Sequence, residues 1–546
     1  MIAKIAVSGL PYSIDRLYDY KVPEAIAGRV RVGVRVIIPF GRGDKQSEGI
    51  VLEIAERSEY ARLKSIAEPL DEEPVLSAEG VQLVKFVRAR FYCTYYDAVR
   101  AMLPTGLWFK GSVGRYEQRA RGKTVKIAVL AIRSEEAIAY RSRSEQQLAV
   151  LRFLAESGEA SVEELCYYTG VRPAVVNALG ERGAVRFEQR EVLRRPKVSE
   201  LAAPMVTELS GGQRKAYEEL EPLLCSGSPE AALLYGVTGS GKTSVYIKLI
   251  AEAIRRGRGA IVLVPEIALT PQLTALFTLH FGEGVAVLHS SLTIGERYDE
   301  WRRLRSGEAR VAVGTRSAIF APVHELGIVI VDEEQEQSYQ SENAPRYNAV
   351  EVAKYRCVQS KAMLLLGSAT PSVESMYAAK TGRYKLAVMS ARFNTRPLPE
   401  VMVADMRREL KDGYGGSISR MLQGEIRRNL EQGEQTILFI NRRGAHSVVA
   451  CPECGTTFAC PDCSVSLTYH SANGRLMCHY CGYSQLLPNR CPTCGGILKF
   501  IGTGIQKVED EFRELFPGVA MIRMDADTVN AANSHEAILK RFSEER

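Results

Sequence analysis

Alternating apolar strands and helical patterns between residues 205 and 395 predict a multidomain α/β protein with a largely parallel sheet. Two further observations narrow that class. A glycine-rich loop, Gly236-Val237-Thr238-Gly239-Ser240-Gly241-Lys242-Thr243, follows one of the strands and opens a helix, the context in which such a loop cradles phosphates. Eight of the twelve cysteines fall between residues 451 and 494 as four Cys-x-x-Cys pairs, the spacing of metal ligands.

A chain of 546 residues is too long for one core, so roughly three to five domains are expected. Residues 1–105 mix short alternating segments with turns and read as a small β-rich domain. Within it, Val30 to Gly41 is a strand ending at a turn, and Ala78 to Arg100 has a helical period. Residues 106–200 form the next domain, within which 145–195 read as helix, short helix, turn, helix and a strand pair. Ser161-Val-Glu-Glu caps one helix, Thr169 to Leu179 forms a recognition-like helix, and the stretches 184–188 and 191–195 form a wing. Residues 201–395 hold the first α/β block, with strands at 231–235, 260–264, 311–314, 328–331 and 362–366. A second block opens at Thr436-Ile-Leu-Phe-Ile within 396–449. It is interrupted by the cysteine region, 450–497, and resumes at Phe500-Ile-Gly-Thr-Gly within 498–546.

Composition bounds the partners. The net charge is +7, but Lys110 to Lys197 carries 17 basic against 11 acidic residues, an excess of six. A localised basic stretch favours a polyanion such as nucleic acid. No apolar run approaches the roughly 20 residues that span a bilayer, and the N-terminus lacks a signal-peptide pattern. Clustered cysteines without export fit metal ligation in a reducing cytoplasm. Cys93, Cys166, Cys225 and Cys357 lie outside the cluster and are expected to be buried.

The glycines of the 236–243 loop let backbone N–H groups point at phosphates, and the helix N-terminus adds a favourable dipole. Lys242 then neutralises the β/γ-phosphates of ATP, and Thr243 ligates Mg²⁺. The strand Ile328-Val-Ile-Val ends in Asp332-Glu333-Glu334-Gln335, which puts the Asp332 carboxylate beside that metal and Glu333 where it can orient and deprotonate an attacking water. Gln213 is a candidate for reading the adenine edge. Three more strand-end loops, Pro265 to Gln272, Gly314-Thr315-Arg316-Ser317-Ala318 and Gly367-Ser368-Ala369-Thr370-Pro371, lie at the sheet edge where ligands bind. Their Arg, hydroxyls and turn amides suit a strand's phosphates.

Four Cys-x-x-Cys turns supply eight ligands, enough for two closed Zn²⁺ sites. The middle turns are separated by 14 residues, close to a zinc-ribbon hairpin, whereas the first two are separated by only five. A nested pairing follows: Cys451, Cys454, Cys491 and Cys494 on one ion, Cys460, Cys463, Cys478 and Cys481 on the other. With no open position these sites are structural, and His479 is not a ligand.

The motifs from Gly236 to Pro371, with Asn441-Arg-Arg-Gly444, resemble those of superfamily 2 helicases. Joined to Tyr18-Asp19-Tyr20, Pro39-Phe40-Gly41 and the cysteine array, they resemble the primosomal protein N′ family of replication-restart helicases along the whole chain. The resemblance implies a RecA-like first lobe and a partial second lobe carrying a two-zinc insert, preceded by a β-rich domain and a winged-helix domain. It implies an ATP-driven 3′→5′ DNA helicase, cytoplasmic and nucleoid-associated, that recognises stalled forks and starts primosome assembly. Forked DNA, single-stranded DNA with a 3′ end, single-strand-binding protein and helicase-loader proteins are its implied partners. A 3′-end pocket would fall on Tyr18, Asp19, Gly41 and Lys64, with Asp19 accepting a hydrogen bond from a terminal 3′-hydroxyl. Arg316 would contact the strand, and Tyr339 and Tyr347 would belong to an aromatic loop that stacks on bases and couples DNA contact to hydrolysis.

Two departures stand out. Gln335 replaces the more usual His. The chain also stops at Arg546, soon after Arg523-Met-Asp-Ala-Asp-Thr528, so a C-terminally truncated chain that binds ATP and hydrolyses it poorly is expected. Two other readings compete: another superfamily 2 duplex translocase, and a fork-binding platform without productive turnover.

Overall fold

The computed structural model describes residues 1–110, 117–118, 123–138, 140, 144–195, 208–265, 271–290, 292–392, 399–440, 447–451, 453–470, 474–478, 481–501, 505–524 and 535–544. Glu266, Asn441 to Gly444 and His479 lie outside them. So do Gly502 to Gly504 and Asp525 to Thr528. The chain divides into two compact units, Met1–Pro397 and Leu398–Arg546.

The first unit opens with a five-stranded antiparallel sheet in the order Tyr18–Lys21, Ile2–Val7, Lys45–Ala55, Arg35–Phe40, Glu68–Pro69. The expected strand before Gly41 is present, and Gly41 turns the chain at a φ of +76°. The helical period over 78–100 resolves into two helices, Ala78–Phe91 and Tyr95–Met102. The break has a local cause: Tyr92 adopts a φ of +51°, and Thr94 with Asp97 forms a capping box that starts the second helix. Beneath them, Arg35 is fully buried and clamped by Asp71, with Nε to Oδ2 at 3.0 Å and Nη2 to Oδ1 at 2.6 Å.

The middle segment packs the helices Glu145–Ser157, Val162–Thr169 and Pro173–Glu181 against a small antiparallel sheet. Ser161 caps the second helix in a box with Glu164, as its sequence requires. The wing is different from expectation. Residues 185–192 form one continuous strand, Val185–Val192, paired along its length with Lys123–Leu130. Gln189-Arg190 contains no turn-forming residue, so the alternation runs through it unbroken. Beyond this strand, Arg194 bonds the fully buried Asp299 at 3.1 Å, and Glu191 accepts from Arg302, fastening the segment to the helix Ile294–Ser306.

The rest of this unit is a seven-stranded parallel sheet in the order Val285–Leu288, Val311–Gly314, Gly259–Leu263, Leu326–Asp332, Met363–Ser368, Ala231–Gly236, Lys385–Met389. All five expected strands are there. The two additional strands, Val285–Leu288 and Lys385–Met389, sit at the sheet edges. Helices such as Lys242–Arg255 and Ala349–Ser360 cover the faces, and the central strands are buried over most of their length, as parallel strands sandwiched between helices must be.

In the second unit, Thr436 to Ile440 does not form a strand. Leu438 and Ile440 pack beside Ile418, Ile426 and Phe512, whereas Ile437 and Phe439 stand 78% and 86% exposed. A parallel strand exists only where a neighbour satisfies its backbone, and no such neighbour occurs among the described residues of this unit. The cysteine region folds as short antiparallel strands, Ser447–Ala450, Thr468–His470, Arg475–Met477, Ser484–Leu486 and Lys499–Ile501. Of the other cysteines, Cys93 and Cys357 are buried, but Cys166 and Cys225 are only half-buried. Among the described residues no helix is long and apolar enough to cross a membrane.

Candidate functional site

The strand Ala231–Gly236 runs into the phosphate-loop motif, and Gly241 caps the helix Lys242–Arg255 at a φ of +80°. Gly239 holds +79°, so both turns favour glycine. Gly236 is constrained by space instead. A Cβ there would lie 2.6 Å from Ser240 Oγ and 3.1 Å from Lys242 Cγ. The loop thus closes around the buried Lys242, whose amine donates to the Gly236 carbonyl at 3.2 Å. Thr243 follows in the first helical turn.

The acidic motif arrives from two strands away, at the end of Leu326–Asp332. Tyr246, one turn along the helix from Lys242 and 1% exposed, donates to Asp332 Oδ1 at 2.8 Å. It crosses the intervening strand at Gly367, where a Cβ would lie 1.8 Å from the tyrosine oxygen. Gly367 is therefore glycine because the tyrosine needs the space. Burial pushes the Asp332 carboxyl up, against the Tyr246 hydrogen bond and the Lys242 charge. Glu333 takes a left-handed φ of +47°, a conformation costing a carboxylate side chain about 1–3 kcal/mol. That turn brings its Oε1 to 3.6 Å from the Lys242 amine. An ammonium, a glycine-lined cradle and two carboxylates converge, a donor set that fits a triphosphate with a hard divalent cation.

The loop Gly367 to Pro371 is joined to this cluster. Gln335 donates from Nε2 to Glu333 Oε2 at 2.9 Å, and its Oε1 accepts from Ser368 Oγ at 2.6 Å. Glu334 accepts from the Ser372 N–H at 2.6 Å and from Ser375 Oγ at 3.0 Å. Sequence reasoning missed Tyr246, Ser372 and Ser375, and gave Glu334 no role. For Tyr246, its i+4 place after Lys242 was an available signal, but nothing marked it as polar in its contacts. Gln213 is 1% exposed and engaged at both ends: Oε1 accepts from Ser210 N–H at 2.9 Å, and Nε2 donates to the Ser240 carbonyl at 3.1 Å. It splints the loop to the helix Gly211–Cys225.

Arg316 donates from Nη1 to the carbonyls of Ser338 and Gln340 at 3.1 and 2.7 Å. Tyr339 and Tyr347 are 1% and 5% exposed, so neither presents a ring face to stack a base in this conformation. The Tyr339 hydroxyl donates to the Asp332 carbonyl at 2.5 Å, and Tyr347 packs edge-on against Phe320. Both rings hold the loop in place. The physical reason is apolar burial beneath the loop, which outcompetes exposure of a large ring.

In the N-terminal domain, the Lys64 amine donates to the Gly41 carbonyl at 2.6 Å and pairs with Asp44. Tyr18 packs edge-on against Phe40, beside Gly41, and Asp19 accepts from Ser58 at 2.5 Å. Lys64 thus meets Gly41 directly and Tyr18 meets its neighbour Phe40, while the partners of Asp19 are Ser58 and Lys4.

The cysteines assemble in the nested pairing. The sulfurs of Cys451, Cys454, Cys491 and Cys494 lie within 4.8 Å of one another, as do those of Cys460, Cys463, Cys478 and Cys481. Tetrahedral Zn–S bonds of about 2.3 Å would separate sulfurs by about 3.8 Å, so the cages fit that ion. Each pair ends in the same turn, with Gly455, Ser464, Gly482 and Gly495 at φ of 76°, 55°, 79° and 74°. Each of those residues donates its N–H to the carbonyl of the first cysteine in its pair.

Three families match the chain. The PriA 3′DNA-binding domain (3′BD) matches residues 6–104, the DEAD/DEAH box helicase residues 211–378, and the PriA DNA helicase Cys-rich region (CRR) domain residues 460–485. The replication restart protein PriA of Bacillus subtilis is 36% identical across 99% of this chain and 75% of its own. That of Chlamydia muridarum is 34% identical over 100% and 72%, and that of Synechocystis 40% identical over 71% and 47%.

Proposed function

The chain belongs to the PriA family of replication restart proteins, and from that premise we propose how its residues divide the work of an ATP-dependent 3′→5′ DNA helicase at stalled forks. The observation that carries the reading is the meeting of the Lys242 amine with Glu333 at 3.6 Å, beside an Asp332 held by Tyr246. The loop 236–243 binds the phosphates of ATP through backbone N–H groups, and Lys242 neutralises the β/γ-phosphates. Thr243 and Asp332 hold Mg²⁺, which when bound offsets charge on the phosphates. Glu333, turned by its left-handed backbone and anchored by Gln335, orients water and accepts its proton. Gln213 reads the adenine edge by exchanging its bond to Ser240 for the base.

Strand contact reaches this site through bonds already made. Arg316 grips the loop at Ser338 and Gln340, and Tyr339 between them bonds the Asp332 carbonyl. A strand drawing Arg316 toward phosphate would pull on the Asp332 backbone, so the two tyrosines act by transmitting that movement. Tyr18, Asp19, Gly41 and Lys64 take a 3′ terminus, with the carboxylate accepting from its hydroxyl. Residues 106–200 act as a winged-helix module on duplex DNA, and the two four-cysteine cages each hold a structural Zn²⁺. The zinc insert and the N-terminal half present the chain to single-strand-binding protein and loader proteins in the cytoplasm. The domains then fall at 1–105, 106–200, 201–395, 396–449, 450–497 and 498–546.

DNA-stimulated phosphate release, with Lys242→Ala as control, tests the motor. Forks ending in a 3′-hydroxyl or a 3′-phosphate test the end pocket. Equal stimulation by both fork types, or no DNA-dependent release, overturns the corresponding part.

A further inference from the structure

Two cavities of ≈ 300 and ≈ 390 Å³ adjoin along the seam between the helix Tyr95–Met102 and the loop Ser341 to Tyr347, sharing Asp97, Ala344 and Pro345 as walls. None of the residues assigned above to ATP, zinc or the 3′ end lines the larger one. Its mouth is aromatic. Tyr12 is 48% and Tyr92 78% exposed, with the Arg88 guanidinium over one face of the Tyr12 ring. Tyr92 also holds a left-handed φ of +51°, where glycine or asparagine would serve the helix end at lower cost. A large ring that is strained in backbone and open to solvent is explained by neither packing nor conformational preference, which leaves function.

The charges suit an anionic ligand presented base-first. Arg346 lines the larger cavity and Arg100 the smaller, both exposed. Arg88 lies 5.7 Å from the Tyr12 ring but is paired with Asp15 at 2.7 Å, so it stiffens the wall without adding net charge. Asp97 is occupied as a capping carboxylate by the Thr94 N–H and hydroxyl. Phosphates would therefore lie toward the two arginines, and bases toward the tyrosines and Asp97.

The groove also has two meaningful ends. Tyr12 belongs to the turn Tyr12–Ile14, whose last carbonyl accepts from the Tyr18 hydroxyl at 2.8 Å, so this end abuts the 3′-end cluster. At the other end, Ser317 lines the smaller cavity next to Arg316, which grips the loop that bonds Asp332.

We propose that this groove binds unpaired nucleotides of single-stranded DNA, with bases stacked on Tyr12 and Tyr92 and phosphates on Arg100 and Arg346. It rests on the reading of the chain as a DNA motor, and it adds a track between end recognition and hydrolysis. Base–aromatic stacking is sequence-tolerant, so no base preference is expected.

The test is fluorescence anisotropy with labelled oligothymidylate carrying a 3′-phosphate, which keeps the 3′-hydroxyl pocket out of the measurement. Tyr92→Gly relieves the left-handed strain and should melt within a few degrees of the parent, yet lose affinity about 5- to 150-fold, the range for one lost stacking partner. Tyr92→Phe keeps the ring and should keep the affinity. Photocrosslinking of 5-iodouracil oligonucleotides to the unmodified protein should mark Tyr92 or Tyr12 in peptide mapping. Equal binding by Tyr92→Gly and the parent, or crosslinks confined to other segments, overturns the groove. Failure of the parent to bind any oligonucleotide would instead overturn the DNA-motor reading beneath it.

Discussion

Replacing Tyr246 with phenylalanine removes one oxygen from the buried link between the phosphate loop and the acidic motif. The hydroxyl is 2.8 Å from Asp332 Oδ1 on a side chain 1% exposed, so water cannot take its place. A hydrogen bond to a charged group contributes a net of about 1.5–3 kcal/mol, and each 1.4 kcal/mol is tenfold in affinity. If Asp332 holds Mg²⁺ as proposed, the bond favours the ionised, metal-binding carboxylate, and the Mg²⁺ concentration for half-maximal ATP hydrolysis should rise by up to about 10- to 150-fold. The ring still packs against Gly367, so the rate at saturating Mg²⁺ should recover most of the way. The sign with pH follows from the same contact. Burial already lifts the Asp332 carboxyl and the tyrosine opposes that lift, so without the hydroxyl the proton competes more strongly and the defect deepens as pH falls. The assay is DNA-stimulated phosphate release titrated with Mg²⁺ at two pH values, with Lys242→Ala giving the baseline. An unchanged Mg²⁺ midpoint in a variant that folds would show that Tyr246 only fills space.

Three other outcomes follow from contacts described above. Cys451→Ser and Cys494→Ser should each lose the same one of two zinc equivalents, and Cys460→Ser and Cys481→Ser the other, read by native mass spectrometry. A double variant within one cage should lose one ion and a double variant across cages both. Gln335→Ala cuts the link from Glu333 to Ser368 and should lower kcat about tenfold with a far smaller change in the KM for ATP, while Gln335→His restores most of the rate. Asp71→Ala leaves the Arg35 guanidinium buried without its main partner and should destabilise the N-terminal domain by about 3–5 kcal/mol, seen as a lowered first melting transition.

The legible parts of this molecule were those whose chemistry demands a residue type at a fixed spacing. Backbone cradling of phosphate needs glycine at Gly239 and Gly241, and both adopt the left-handed turns that make it necessary. Metal knuckles need paired thiolates followed by a residue able to turn, and Gly455, Gly482 and Gly495 announce that turn, while Ser464 adopts it without announcing it. Buried parallel strands read as continuous apolar runs, so the five central strands were visible. Thr436 to Ile440 shows the converse. Its continuous apolar run is that of a buried strand, but a strand is a property of two segments, and the pairing partner is not encoded in the segment itself.

What the sequence leaves ambiguous is the direction in which an aromatic side chain points. Tyr246, Tyr339, Tyr347, Tyr12 and Tyr92 are the same letter, with the same apolar ring and the same polar tip. The first three are buried, with Tyr246 and Tyr339 placing their hydroxyls on two different atoms of Asp332, while the last two stand in solvent at a groove mouth. Tyr339 and Tyr347 lie near the acidic motif in sequence and are expected to meet bases, yet both are buried, Tyr339 bonding the Asp332 carbonyl and Tyr347 packing against Phe320. Exposure separates the two groups, and at Tyr92 backbone strain adds to it, because a core tyrosine is repaid by packing and a solvent-facing one at a left-handed turn is not. If the groove and the coupling loop act as proposed above, loss of the Tyr92 ring should weaken DNA binding, whereas loss of the Tyr339 hydroxyl should leave binding intact and uncouple it from hydrolysis.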